Sequence, residues 1–600
     1  MEEVPTKTHS GRPEQRARIS WGRGSRRLLV AFLASLLTLV GLAGASPSAG
    51  AVSRTVRVIV RTTPGGGAAA KRALTRAGGT FRLRLKILHG FSATLPTSSL
   101  AAFETAPGVD GVTVDASLAP QSVNGYDAST DGSSMYTLAR KVTGASDYWN
   151  AGYTGKGVDV ALIDTGVAPV DGLTAPGKVI NGPDLSFESQ NSAFRYLDTN
   201  GHGTFMASLI AGKDDSVTSV TTAGPDQFLG MAPDARIVSV KVADAFGATD
   251  VSQVIAGIQW VVQHRNDNGM HIRVLNLSYG TDGVQSYQLD PLAYAAEVAW
   301  RKGIVIVASA GNSGYGSDTL NDPALDPYVI AVGASDPNGT ASKTDDSVPT
   351  WSSSGDGVRN PDFVAPGKSV VGLRDPGSQI DKSYPSAVVG GRFFRGSGTS
   401  QAAAIVSGAV ALIEQRTPNI TPDQVKALLM RTTSNIASYK SIAQGAGEMN
   451  LKNAFTFGIP TAMQTFPPST GAGPLELSRG TAHLSSNGVD LNGEQDIFGA
   501  PWDAPAQAQL ENAGAAWIGG TYNGNGWAGN GWTANGSWTK NEWGTTTWQH
   551  GAWSGLSWTA NNWDRNSWSR NSWSGGQWTR NSWSSNTFAR NSWSSVSWGS

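Results

Sequence analysis

The sequence predicts an α/β protein whose main body is a doubly wound, mostly parallel sheet with helices on both faces. Three observations carry this. Short apolar runs rich in β-branched residues, at 158–163, 237–242, 274–277, 304–309 and 329–332, alternate with helical stretches such as 250–263 and 292–301. Strands that are apolar throughout belong in a parallel sheet buried on both sides, because a sheet with one wet face alternates instead. At 600 residues the chain is too long for one core, and its texture changes along its length, so further pieces flank that body.

Composition narrows the function. Lys and Arg total 46 and Asp and Glu total 46, so no net field draws the chain to nucleic acid or to an anionic membrane. There is no cysteine, which removes disulfides, thiol catalysis and Cys-ligated metal.

Taken in order, residues 1–51 read as an export signal. Arg12, Arg16, Arg18, Arg23, Arg26 and Arg27 precede an apolar run at 28–42, and Ala49-Gly50-Ala51 offers a cleavage site before Val52. The run is shorter than the about 20 residues a membrane span requires, so no stable span is expected after its removal. The expected location is secreted, extracellular or at the cell surface. Arg26-Arg27 fits the twin-arginine and the general secretory routes equally.

Residues 52–118 form a small α+β unit: strand 55–61, helix 68–77, strands 81–88 and 90–95, helix 97–105 and strand 109–114. The order β-α-β-β-α-β is the ferredoxin-like arrangement. Residues 119–140 are polar and rich in Gly, Ser and Asp, and read as an exposed linker. The α/β body spans 141–457. Residues 458–520 show little periodicity and read as a second linker. Over 521–600 a repeat takes over, with Trp527, Trp532, Trp538 and Trp543 opening a series that runs to Trp598 with a period of five but for one six-residue step, Phe588 taking one of the slots. A helix would set successive Trp about 140° apart and a strand would alternate their faces, so neither gives a stripe. A β-solenoid or a disordered Trp-bearing chain remains.

Three motifs in the body carry chemistry. Ala161-Leu162-Ile163-Asp164-Thr165-Gly166 is a buried strand ending in an acid. Asn200-Gly201-His202-Gly203-Thr204 opens a helix at 202–211. Gly396-Ser397-Gly398-Thr399-Ser400-Gln401 opens another, which runs to about Arg416. A serine hydroxyl attacks only when an imidazole takes its proton, and the imidazole needs a carboxylate to fix its tautomer. Ser400 at a helix start also offers its backbone N–H where charge develops on a substrate oxygen. Asn312, just after the strand 304–309, is placed to supply the second oxyanion donor. Singly, each motif is more often a turn, a helix cap or a structural histidine.

Asp164-Thr165-Gly166, His202-Gly203-Thr204, Ser309-Ala310-Gly311-Asn312 and Gly398-Thr399-Ser400, together with Trp351–Gly355 and Ala365-Pro366-Gly367, resemble the subtilisin family, the subtilases. The resemblance covers about 141–457. It implies a subtilisin-like fold and a secreted serine endopeptidase with Asp164, His202 and Ser400 as the triad and Asn312 in the oxyanion hole. It further implies that Ser278-Tyr279-Gly280, the stretch around Gly247, and Ala310 and Gly311 flank an extended peptide substrate. One departure stands at Gln401-Ala402-Ala403-Ala404, where the family has Met-Ala and then Pro. It touches local pocket shape and leaves the nucleophile in place.

The resemblance gives the flanking pieces roles as well. Residues 52–118 become a cleaved prodomain that inhibits its own enzyme. Arg54, Arg57, Arg61, Lys71, Arg72, Arg76, Arg82, Arg84 and Lys86 face only Glu104, Asp110 and Asp115, against a more acidic catalytic segment. No cofactor is needed for the chemistry. Relatives often bind structural Ca²⁺, but no acidic run here resembles an EF-hand loop. The Trp repeat suits contact with cell-wall polysaccharide by stacking on sugar rings, or equally a spacer without a ligand. The competing reading is a weak or inactive protease fold serving as a surface-binding module through that tail. The intact motif set speaks against it.

Overall fold

The computed structural model describes residues 55–85, 89–114, 126–189, 194–315, 320–436, 439, 441–486, 489–518 and 520–526, with two isolated pairs at 559–560 and 572–573. The expected export signal, the stretch 115–125 and the repeat from Trp527, apart from those pairs, lie outside the described residues. The chain divides into two compact units, Met1–Ala119 and Pro120–Ser600.

In the first unit β1 (Thr55–Thr62), α1 (Gly67–Arg76), β2 (Thr80–Leu85), β3 (Gly90–Pro96), α2 (Leu100–Glu104) and β4 (Val109–Val114) follow the expected order. The antiparallel sheet runs β2-β3-β1-β4. Strand alternation explains its core. Val58 and Val60, and Phe91, Ala93 and Leu95, turn one way onto Ala70, Ala73 and Leu74 of α1 and Phe103 of α2. Arg57, Arg61, Arg82 and Arg84 are exposed.

The second unit is built on seven parallel strands. These are β5 (Asp159–Asp164), β6 (Val179–Asp184), β7 (Arg236–Lys241), β8 (Ile272–Leu277), β9 (Val305–Ser309), β10 (Ile330–Ser335) and β11 (Phe363–Pro366), in the order β11-β10-β9-β8-β5-β7-β6. Helices α3 (His202–Ala211), α4 (Val251–His264) and α5 (Pro291–Arg301) connect the strands. Winding reverses at β5, which has β7 on one side and β8 on the other. Open parallel sheets form their crevices at the carboxyl ends of strands on either side of such a point. A smaller antiparallel sheet of β12 (Val370–Leu373), β13 (Val388–Val389) and β14 (Phe393–Ser397) leads into α6 (Thr399–Arg416). Helix α6 lies against β8, β9, β10 and β11. Its Ile405, Val406, Val410, Leu412 and Ile413 are at most 1% exposed, each burial contributing about 1.5–3 kcal/mol.

Glu414, in the last turn of α6, is buried and paired with Arg273 at 3.0 Å. Burial pushes its carboxyl up to about 8, against the pull of Arg273. The folded chain therefore keeps a proton there that the unfolded chain releases above its ordinary 4.5, so this contribution to stability is full at acid pH and is lost as pH rises through about 8. Glu414→Gln is expected to flatten the fall in melting temperature between about pH 5 and about pH 9, read by calorimetry across that range. An unaltered slope would count against it.

Two expected linkers are corrected. Residues 126–140 belong to the second unit: Met135, Leu138 and Ala139 are buried in its core, and Asp131 pairs with Arg395 at 2.6 Å with both side chains 4% exposed. The stretch 458–520 is likewise folded, and the body extends to 526. After Gly458 come α7 (Leu475–Arg479), short strands, and α8 (Ala504–Ala513). Leu484, Leu491, Ile497, Trp502, Trp517 and Tyr522 enter the main core. The Trp517 indole donates to the Ala256 carbonyl of α4 at 2.8 Å, and the Tyr294 hydroxyl of α5 to that of Ala508 at 3.0 Å. These anchors are spaced irregularly between Gly and Pro, so tertiary contact rather than any period orders the segment.

Candidate active site

Three chain segments carry the candidate catalytic residues. Asp164 ends β5 at the reversal of winding, His202 is the first residue of α3, and Ser400 is the second of α6. All three have 0% relative exposure. His202 Nδ1 lies 2.8 Å from Asp164 Oδ1 and 3.0 Å from Oδ2. A carboxylate only accepts, so Nδ1 carries the proton and Nε2 is the basic nitrogen. Asp164 Oδ1 also accepts the Thr165 N–H at 2.7 Å, which fixes the carboxylate. Gly203 follows the histidine for a steric reason. A Cβ there would stand 2.1 Å from the Gly166 carbonyl and 3.2 Å from Asp164 Oδ1.

Ser400 Oγ donates to the Ser278 carbonyl at 3.3 Å, and Ser278 Oγ donates to the Ser400 carbonyl at 3.1 Å. This clasp holds the start of α6 against the end of β8. Asn276 Nδ2 in turn donates to Ser278 Oγ at 2.9 Å. Asn312 Oδ1 accepts from both the backbone N–H of Thr399, at 2.9 Å, and its hydroxyl, at 3.0 Å. With the oxygen committed twice, the amide is held in one orientation and its NH₂ end is set opposite, fit to donate to an anion.

The expected substrate-flanking residues differ in what they present. Ser278 and Tyr279 are buried, and the Tyr279 phenol is held well above its usual range by burial and by the charges of Asp250 and Asp322. That segment therefore offers backbone, not the ring. Gly280 and Gly311 stand on either side of Asn321, whose Cβ and Oδ1 would be 2.7 and 2.6 Å from a Cβ at the two positions. Ala310 accepts the Asn321 N–H at 3.1 Å. Gly247 lies in a turn closed by Asp244 Oδ1, which accepts the N–H groups of Phe246 and Ala248 at 2.9 Å each. Phe246 is 53% exposed and lines a cleft of about 860 Å³ together with Asp198, Thr199, Asp375, Ser378 and Gln379.

Sequence reasoning passed over Asp198. It is 2% exposed and accepts from the Thr165 hydroxyl (2.8 Å), the Gly201 N–H (2.7 Å), and the N–H and hydroxyl of Thr204 (2.7 Å each). Burial pushes its carboxyl up and these donors oppose the shift. Asp198 ties the turn after Asp164 to the turn before His202. Its place four residues ahead of His202 was the one available signal. Among the described residues no group of three or more His, Asp and Glu side chains gathers to hold a metal ion, and no helix is long and apolar enough to cross a membrane.

Comparison with known proteins identifies the family of the second unit's body. Residues 155–458 match the Subtilase family. The serine protease AprX of Bacillus subtilis is 39% identical over 307 residues, covering 50% of this chain and 66% of that protein. Subtilisin Savinase of Lederbergia lenta is 33% identical over 305 residues, 51% of this chain and 93% of the relative. Subtilisin DY of Bacillus licheniformis is 33% identical over 306 residues, 50% and 92%. The chain thus spans just under two thirds of AprX and nearly all of the shorter subtilisins. Its α/β body is a subtilisin-like serine endopeptidase domain, and the chain belongs to the subtilase family.

Proposed function

We propose that the chain hydrolyses internal peptide bonds through an acyl-enzyme formed on Ser400. The observation that carries this is the contact of His202 Nδ1 with both oxygens of Asp164, at the strand ends where Ser400 opens α6. His202 Nε2 takes the Ser400 proton as Oγ attacks the carbonyl carbon. The Asn312 amide and the Ser400 N–H hold the resulting oxyanion. His202 then returns the proton to the leaving amine, and water repeats the cycle on the ester to free the acid. The reading as an inactive scaffold is not favoured.

The first unit serves in this proposal as an inhibitory prodomain removed after export. The packing of residues 126–140 within the second unit supports a cut in the first part of the expected interval Ala116–Arg140, between Ala116 and Gly125.

The test combines a label with a variant. A fluorophosphonate should attach to Ser400 in the extracellular protein, whose first residue by Edman sequencing falls in that interval. Asn312→Leu should lower kcat on casein peptides by about 10²–10³, the size such a loss has in subtilisin itself, with KM little changed. A label elsewhere, or an unchanged kcat, would overturn the assignment.

A further inference from the structure

The segment after the Subtilase match, from residue 459 onward, is laced onto the two stretches expected to flank the substrate. Arg479, at the end of α7, has 0% exposure. Its Nε donates to Asp250 Oδ1 at 2.7 Å, and its Nη1 to the Gly493 carbonyl at 2.6 Å and to Glu476 Oε2 at 3.1 Å. Nη2 donates to the Gln495 carbonyl. Asp250 is itself the N-cap of α4, accepting the Ser252 N–H at 3.0 Å. It sits three residues after Gly247.

The same strap holds the continuation of Ser278-Tyr279-Gly280. The Thr281 hydroxyl donates to the Ser478 carbonyl, and the Val284 N–H to the Leu477 carbonyl at 3.1 Å. Asp282 Oδ1 accepts the Thr481 N–H at 2.8 Å. Gly480 has a φ of 62°, and a Cβ there would stand 2.4 Å from the Asp282 carbonyl, so only glycine lets the strap approach this closely. Tyr279 is buried between the two anchorages, with Asp250, Asp322 and Arg479 as its charged neighbours.

We infer that Arg479 is a positioning residue for peptide binding: the strap 477–481 fixes the Gly247 and Ser278–Gly280 edges relative to each other, so that an extended substrate meets both in register. This rests on the endopeptidase reading above. A guanidinium suits the task because its planar fork reaches two carboxylates and two carbonyls at once, which an ammonium cannot do. Binding in an extended cleft depends on the separation of its walls, whereas bond breaking depends on Asp164, His202 and Ser400, which the strap does not touch.

The test is steady-state kinetics of the processed full-length enzyme on an internally quenched peptide spanning both sides of the cut, well below the melting transition. R479K should raise KM about tenfold while kcat falls less than about threefold. Thr281→Val, which removes the hydroxyl that the Ser278–Gly280 edge donates to the Ser478 carbonyl of the strap and keeps the side chain's shape, should move KM in the same direction, and it decides the question if R479K does not accumulate. Unchanged KM in the variants would overturn the inference. So would a loss of kcat in parallel with the titre of phosphonate-reactive sites, since that marks a purely structural role. Absence of labelling in the unsubstituted enzyme would instead remove the endopeptidase reading, and this inference with it.

Discussion

Ser400→Ala is expected to lower kcat for peptide hydrolysis on the order of 10⁶-fold, the size that loss of the nucleophile carries in subtilisin. KM should stay near its original value, because the hydroxyl makes its covalent contribution only after binding. The oxyanion donors remain, so a residual rate above that in water is expected. Folding should be little disturbed. The described hydrogen bond lost is the 3.3 Å contact to the Ser278 carbonyl, and a bond of that kind is worth about 1 kcal/mol. Melting temperature therefore separates a chemical loss from a structural one. If the enzyme cuts its own precursor, the variant should also accumulate uncut. Turnover on casein within tenfold of the unsubstituted enzyme would end the assignment of Ser400.

Asp164→Asn is expected to cost about 10⁴ in kcat at neutral pH, and the structure says why the new amide would sit the wrong way round. The Thr165 N–H points at Oδ1 from 2.7 Å and needs an acceptor. The amide oxygen satisfies it at the Oδ1 position, 2.8 Å from His202 Nδ1, and the NH₂ group takes the Oδ2 position, 3.0 Å from the same nitrogen. That donor competes for Nδ1, and where Nδ1 accepts from it the ring proton sits on Nε2 and no base faces the serine hydroxyl. The rate of phosphonate labelling should fall alongside kcat, since both need the same proton removed. NMR of the imidazole nitrogens would show the change of tautomer directly. A variant that keeps its labelling rate would refute the role given to Asp164.

Much of this was legible in the sequence because the motifs are local. A buried strand ending at Asp164, a helix opening at His202 and one opening near Ser400 each depend on a few adjacent residues, and the structure has all three elements within a residue or two of expectation. What escaped depends on contacts across the chain. Asp198 acts through Thr165 and Thr204, and no spacing rule announces a carboxylate that organises turns. The Tyr279 ring is turned into the core among Asp250, Asp322 and Arg479, a direction no local motif announces. The stretch after 458 shows no period because Trp502, Trp517 and Tyr522 are gathered into the main core, with Trp517 bonded to α4 and Ala508 to α5. Arg479 in a polar stretch looks like surface, and only the folded chain reveals the carboxylate and carbonyls that enclose it.

The strand order carries a consequence for how the molecule endures. Asp159 of β5 pairs with Arg236 and Ile272, and α6, arriving from residue 399, must close over strands that begin at 272. Contacts between such distant parts of a chain form late and at high entropic cost, so folding is slow, and interactions made only after the transition state slow unfolding instead. For a protein with no cysteine, resistance to proteolysis is then a matter of half-life. The height of the barrier to opening, more than the depth of the native well, sets how long the enzyme lasts.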